Sequence, residues 1–457
     1  MSKHSLVCGV LAHLLAPLGT AEERPADTLR AGAAAAEIEA DDSMNIGGGI
    51  LPFRVNGQEG KLRAVAVVLE KPGSADKSEK LAIVACDVLF VTRDLIDPVV
   101  EEITQTCGIP AAHILINATH THHAPSTGTV HGYPREEVFC RNMQKAIVRV
   151  VKKADAQLKD GECRFFFRLG EESSVGQNSR VLLKDNTIFW TGAHEDFVRP
   201  TGPFDPELPV LAFRSLKDNK LRALLFNHST HTIGTRKGAV RSPSFYGLAA
   251  QELESELGGT VCFLEGASGS THNLLLKTDE MVIRIKNAVR EALDAAEPRP
   301  VPRLVGLKRR FTFKVRTFDE AREDESVSSY CKKRIPAHAD TTIEVFRKQR
   351  KVLAPQQGQE RATWLQALVI GDVAFVGVPA ELFTKLGQEI KRRSPYRYTY
   401  VAELANDWIG YLPDRKAFEL GGYQTWTGLH SYAAPGTGEA IVAEAVKMLH
   451  ELHDRQR

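Results

Sequence analysis

The chain has 457 residues, with 59 Lys and Arg against 57 Asp and Glu and a formal charge of +2. That balance argues against a nucleic-acid protein, which needs a concentrated excess of cations to neutralise phosphates. Hydrophobic residues at 43% and charged residues at 25% describe a packed protein, long enough to bury a core without disulfide staples.

The amino terminus reads as an export signal over residues 1–21. It has a short basic start, a mostly apolar run over 5–18, and the small residues Gly19, Thr20 and Ala21 at the cleavage position. The apolar run is too short to span a bilayer, and no later stretch reaches transmembrane length. An exported protein, periplasmic or secreted, is expected. Six cysteines follow the signal, none in a CxxC pair. Several lie in apolar strand-like runs, so buried free thiols are expected, with one disulfide left open.

Strands and helices then alternate. Residues 81–90 predict a buried strand and 93–106 a helix. Residues 113–118 predict a second strand and 135–158 a long amphipathic helix. A strand pair over 208–213 and 221–227 is joined by the turn residues Lys217, Asp218 and Asn219. A helix over 246–257, a strand over 261–264 and a helix over 279–296 continue the pattern. Glu297-Pro298-Arg299-Pro300 breaks it. Beyond lie a basic strand over 304–315, a charged helical excursion to about 360, and apolar strands over 364–378. The fold class is α/β, with mixed sheets flanked by helices, and residues 22–457 are expected to form one domain.

The 15 histidines are unevenly placed. Asn117-Ala118-Thr119-His120-Thr121-His122-His123 follows one predicted strand, and Asn227-His228-Ser229-Thr230-His231 follows another. Histidine-rich loops at two strand ends can meet at one edge of a sheet, where open α/β sheets hold their ligands. Neutral imidazole is the commonest metal ligand, so this pattern favours a metal site. Val376 to Phe383 ends a strand with Glu381, and 404–413 is a further strand feeding a polar loop, followed by Gly421-Gly422-Tyr423. Arg236, Lys237 and Arg241 form a basic cluster beyond the second histidine group. With Trp408 and Trp426 they allow a reading in which an acidic glycan is bound.

Five stretches together resemble the neutral/alkaline (non-lysosomal) ceramidase superfamily, in the family's order and from about residue 30 onward. They are Thr119 to His122, Phe226 to Thr230, Glu265-Gly266-Ala267-Ser268-Gly269, Pro379 to Phe383, and Ala405 to Tyr411 with Tyr423. The resemblance implies a ceramidase-like catalytic domain with its metal site at the carboxyl ends of strands. It implies zinc held by His120, His228, Glu381 and Tyr411, with His122, Tyr423 and Arg180 as catalytic groups over the substrate. Zinc chemistry supplies an acidified water and a polarised carbonyl, so cleavage of an N-acyl amide is expected.

The sequence also departs from the family. His272 stands where the family has a serine, and Ser244 stands where an aspartate is usual. The family's carboxyl-terminal β-sandwich is not expected here. His272, Arg241 and Trp426 are the substrate-binding candidates. The substrate is expected to be a small molecule, lipid or glycan. The alternative activity is that of a zinc-dependent glycosidase or lyase acting on an acidic glycan.

Overall fold

A computed structural model describes residues 29–73, 79–192 and 195–455. The expected export segment, 1–21, lies outside the described residues. The larger of two main sheets contains strands β1 (Leu29–Glu37), β2 (Arg63–Lys71), β3 (Glu79–Cys86), β4 (Ile114–Ala118), β5 (Glu162–Glu171), β6 (Glu207–Ser215), β7 (Leu221–His228), β8 (Thr260–Glu265) and β9 (Glu297–Arg299). Its order is β8-β7-β6-β5-β1-β2-β3-β4, with β9 pairing against β5. The expected break at 297–300 therefore contributes a short edge strand, and Pro298 is tolerated there because one side of an edge needs no N–H donor. The second sheet runs β10 (Leu304–Lys314), β11 (Glu360–Ile370), β12 (Val373–Val378) and β13 (Tyr398–Glu403), in that order.

Side-chain alternation explains how the layers stack. In β2, Val65, Val67 and Leu69 join a core that also holds Leu368, Ile370, Val373 and Phe375 of the second sheet. Ala64, Ala66 and Val68 face the other way, onto helices α1 (Arg93–Cys107) and α2 (Glu137–Ala156). The larger sheet's other half is covered by α3 (Ser244–Leu257) and α4 (Thr278–Asp294). The outer face of the second sheet carries α7 (Thr384–Arg393) and α9 (Thr437–Asp454). Helices, sheet, sheet and helices thus make four layers. The charged excursion is two helices, α5 (Glu320–Arg334) and α6 (Ala339–Leu353), with a small core of their own that includes Phe346 and Trp426. The one helix not yet placed, α8, is the short segment Arg415–Leu420.

Four strands end at one edge of this stack, and buried asparagines join the two sheets there. Asn117 donates its amide to the Glu403 carbonyl and accepts the Glu265 N–H at 3.1 Å. Asn227 Nδ2 reaches both the Leu264 carbonyl, at 2.8 Å, and the Val401 carbonyl, at 3.0 Å. Asn406 accepts the Ile116 N–H at 3.2 Å and donates to Gln366 at 2.7 Å. Each asparagine is polar on two sides, so each links the two sheets where strand pairing stops: Asn117 and Asn227 through backbone groups of both, Asn406 through a backbone N–H of one and the Gln366 side chain of the other.

The six cysteines among the described residues are free and buried. No helix among the described residues is long and apolar enough to cross a membrane.

Asn117→Ala leaves a buried N–H and a buried carbonyl without partners. It is expected to cost about 2–4 kcal/mol in urea unfolding. The exposed Asn287→Ala, on α4, is expected to stay within about 0.5 kcal/mol. Equal effects would remove the asparagine junction from the account.

Candidate metal centre

The loops that leave these strand ends carry the site. His120 and His122 follow β4, His231 follows β7, Glu381 follows β12, and Trp408 and Tyr411 follow β13. His120 has a left-handed backbone (φ 63°), as do Leu404 (φ 53°) and Asn406 (φ 62°). Such a conformation costs a side-chain-bearing residue about 1–2 kcal/mol and persists only where the surroundings enforce it. Here the His122 N–H bonds the Thr232 carbonyl at 3.3 Å, which ties the two histidine loops together. Gly269 passes so close to Glu381 that a Cβ would lie 2.4 Å from the Glu381 carbonyl oxygen. This is the physical reason for the glycine-rich turn.

Hydrogen bonds fix the ring tautomers. His120 Nδ1 meets the Leu89 carbonyl at 2.8 Å and His231 Nδ1 meets the Ser268 carbonyl at 2.8 Å. A carbonyl only accepts, so both Nδ1 atoms carry the proton and both Nε2 atoms present lone pairs. His122 Nδ1 faces the Gly48 carbonyl at 3.3 Å in the same sense. The three rings therefore turn unprotonated Nε2 atoms inward. Those of His120 and His122 stand 3.4 Å apart. The ligand atoms of His120, His122 and His231 all lie within 4.8 Å of one another.

Glu381 completes the cluster. Its Oε1 accepts from Trp408 Nε1 at 3.1 Å. Its Oε2 is buried without a hydrogen-bond partner. That atom lies 3.5 Å from His120 Nε2 and 3.3 Å from His231 Nε2, while Tyr411 Oη is 3.0 Å from His231 Nε2. A tetrahedral ion with bonds of about 2.0–2.1 Å separates its ligands by about 3.3–3.4 Å. The observed spacings fit that figure, and an orphaned carboxylate oxygen opposite imidazole lone pairs is what a cation would satisfy.

Electrostatics distinguish the buried carboxyls. Burial pushes Glu381 upward, but His120 and His231 outweigh it and hold the group well below the usual carboxylate range. Glu265 and Glu403, behind the site, are driven well above the usual carboxylate range by burial. Burial, followed by the neighbouring imidazoles, keeps His122 well below its usual range. Burial also lowers His231. Burial and Glu381 push the Tyr411 phenol well up. Tyr411 therefore keeps its proton and donates it to His231 Nε2.

Several sequence expectations change. His228 is not at the centre: its Nδ1 bonds Tyr246 Oη at 2.5 Å and its Nε2 bonds the Glu172 carbonyl at 2.9 Å. It continues the face of β7 on which Leu224 and Phe226 meet the helices, so its ring points away from the other sheet. His231, three residues on, takes the position expected of it. Arg180 does not reach the cavity. Its guanidinium is buried against Gln424 Oε1 at 2.8 Å and the Gly421 carbonyl at 2.6 Å, where it holds the Tyr423 loop. Arg241 is paired to Asp42 at 2.6 Å, outside the cavity. Trp426 packs against Phe346 with ring centres 5.5 Å apart, in the core of the excursion.

His122, His272 and Tyr423 do line the cavity, which measures about 400 Å³. Its apolar wall is formed by Phe90, stacked on Trp408 at 4.2 Å, and by Trp190, stacked on Tyr423 at 4.6 Å. His131 and His430 also line it. Neither stands in a histidine cluster of the sequence, so no local signal marks them.

No family model matches the chain, and no curated protein matches it. Solved structures do. The neutral ceramidase of Pseudomonas aeruginosa superposes with a TM-score of 0.71 at 18% identity, covering 94% of this chain and 75% of that one. A ceramidase complexed with C2 gives 0.72 at 18% identity, covering 94% and 76%. At such identity the likeness is one of architecture, and the architecture of this chain is the neutral-ceramidase fold.

Proposed function

We propose that the protein is a zinc-dependent hydrolase that cleaves a neutral, ceramide-like N-acyl amide. The observation that carries this reading is the unpartnered Glu381 Oε2 among inward-facing imidazole nitrogens. His120, His231, Glu381 and Tyr411 are the proposed ligands, a nitrogen and oxygen set suited to zinc. Zinc bound there supplies Lewis acidity toward a water and toward the scissile carbonyl.

The remaining residues have roles of their own. His122, neutral and with a free Nε2 lone pair, accepts the proton lost by the attacking water. It can then return that proton to the leaving amine. Tyr423 offers a hydroxyl to the carbonyl oxygen as negative charge develops there. The stacked aromatic wall excludes water and holds the apolar part of the acyl group. Export through residues 1–21 belongs to the same proposal.

The alternative substrate, an acidic glycan, loses support from the cavity. Its described lining contains no lysine or arginine. Arg241 is paired to Asp42, and Arg236 is paired to Glu252 at 2.7 Å and to Asp279 at 2.5 Å. An anionic substrate would enter a cavity walled by histidines and beside Glu381, with no lysine or arginine side chain to offset its desolvation.

Two predictions follow from the ligand assignment. His120→Ala and His231→Ala are expected to lose bound zinc and at least about 10³-fold in amide turnover. His228→Ala is expected to keep about one zinc per chain, while losing about 2–4 kcal/mol of stability because Tyr246 and the Glu172 carbonyl are left unpaired. Metal analysis of the purified variants checks both, and retention of zinc by His231→Ala with loss from His228→Ala would reverse the assignment. In a substrate screen, uncharged N-acyl amides are expected to turn over and uronate-containing oligosaccharides are not. Turnover of the oligosaccharides alone would replace the amide reading.

A further inference from the structure

The hydroxyl of Tyr423 has a partner on its outer side that sequence motifs do not mark. Tyr423 Oη lies 3.3 Å from His131 Nε2. His131 Nδ1 lies 3.1 Å from Gln349 Nε2, and Gln349 Oε1 accepts the Leu429 N–H at 2.8 Å. Gln349 comes from α6 and is 1% exposed; His131 is 9% exposed. Gly428 makes room for the glutamine, since a Cβ there would sit 2.5 Å from Gln349 Oε1.

The direction of every bond in this chain follows from its fixed end. A backbone N–H can only donate, so the atom facing Leu429 is the glutamine oxygen and the atom facing His131 is its amide nitrogen. That nitrogen has only protons to offer, so His131 Nδ1 accepts. Burial pushes the His131 pKa down to about 3, which keeps the ring neutral with a single proton. The proton must then be on Nε2, facing Tyr423. This is the tautomer opposite to that of His120 and His231. The Tyr423 oxygen therefore accepts from His131, and its own proton is free to point elsewhere.

We propose that Gln349 and His131 are positioning residues that force Tyr423 to act as a hydrogen-bond donor into the cavity. With the opposite His131 tautomer, Tyr423 would spend its proton on the imidazole and present only lone pairs to a substrate oxygen. The arrangement also gives the α5–α6 excursion a function, because it is α6 that delivers Gln349. His430 holds the same tyrosine from another side: its Nε2 bonds the Tyr423 carbonyl at 3.0 Å, and its ring stacks on the phenol at 4.6 Å.

The inference rests on the hydrolase reading only for its catalytic consequence, so the test has two arms. The first reads histidine tautomers by long-range proton–nitrogen NMR on histidine-labelled protein, with the His131 signal assigned from its loss in His131→Gln. The Nε2-protonated form is expected for His131; the Nδ1-protonated form would overturn the proposal whatever the enzyme cleaves. The second arm is kinetic. Gln349→Leu is expected to lower kcat roughly 10²-fold with little change in KM, and to add no further loss in a Tyr423→Phe background. His131→Gln, which keeps an N–H near the Nε2 position, is expected to recover part of the loss seen in His131→Phe. A folded Gln349→Leu enzyme with wild-type kcat would also overturn the proposal. Absence of amide turnover in the wild type would defeat the hydrolase reading and leave the tautomer measurement to decide this one.

Discussion

The structure is organised around one ionised carboxylate that has no hydrogen-bond partner on one of its oxygens. A buried charge in that condition costs several kcal/mol unless something of opposite sign faces it. The groups nearest Glu381 Oε2, the Nε2 atoms of His120 and His231 at 3.5 and 3.3 Å, do not supply it. Those imidazoles present lone pairs, because their other nitrogens are committed to backbone carbonyls. Carboxylate and lone pairs all point at the same place, and a divalent cation is the species that reconciles them. Burial drives neighbouring Glu265 and Glu403 the other way, well above the usual carboxylate range.

Everything that brings those atoms together is structural. The histidines belong to loops of the larger sheet, while Glu381 and Tyr411 belong to loops of the smaller one. The two sheets share a core, and their strand ends are joined by Asn117, Asn227 and Asn406. Tight backbone approach at Gly269 and the left-handed turn at His120 bring the loops to within ligand distance. The site is therefore a property of the junction between sheets. Loosening the junction moves ligands that are themselves unchanged.

Much of this was legible in the sequence. Most elements from β3 to β12 follow from periodicity and turn residues, though β5 was not expected and β9 was read as a break; the pairing of histidine loops with strand ends follows from their positions. Strand order was not legible, because residues distant in sequence become neighbours: β5 lies beside both β1 and β6. The excursion was legible as helical, but its delivery of Gln349 to the cavity was not. His228 shows where one-dimensional reasoning fails. The segment Asn227 to His231 offers two histidines, and resemblance favoured the first. The strand's alternation decides for the second: Leu224 and Phe226 face the helices, and His228 continues their face. Arg236 and Arg241 show the converse, a basic cluster whose charges are consumed by carboxylates that sequence alone does not place nearby.

Anomalous diffraction from crystals of the zinc-loaded protein tests the central claim most directly. The account predicts a single strong peak bonded to His120 Nε2, His231 Nε2 and Glu381 Oε2, with Tyr411 Oη as the fourth ligand and His228 still bonded to Tyr246. A peak at His228, or an unliganded Glu381 Oε2 in protein saturated with zinc, would contradict it.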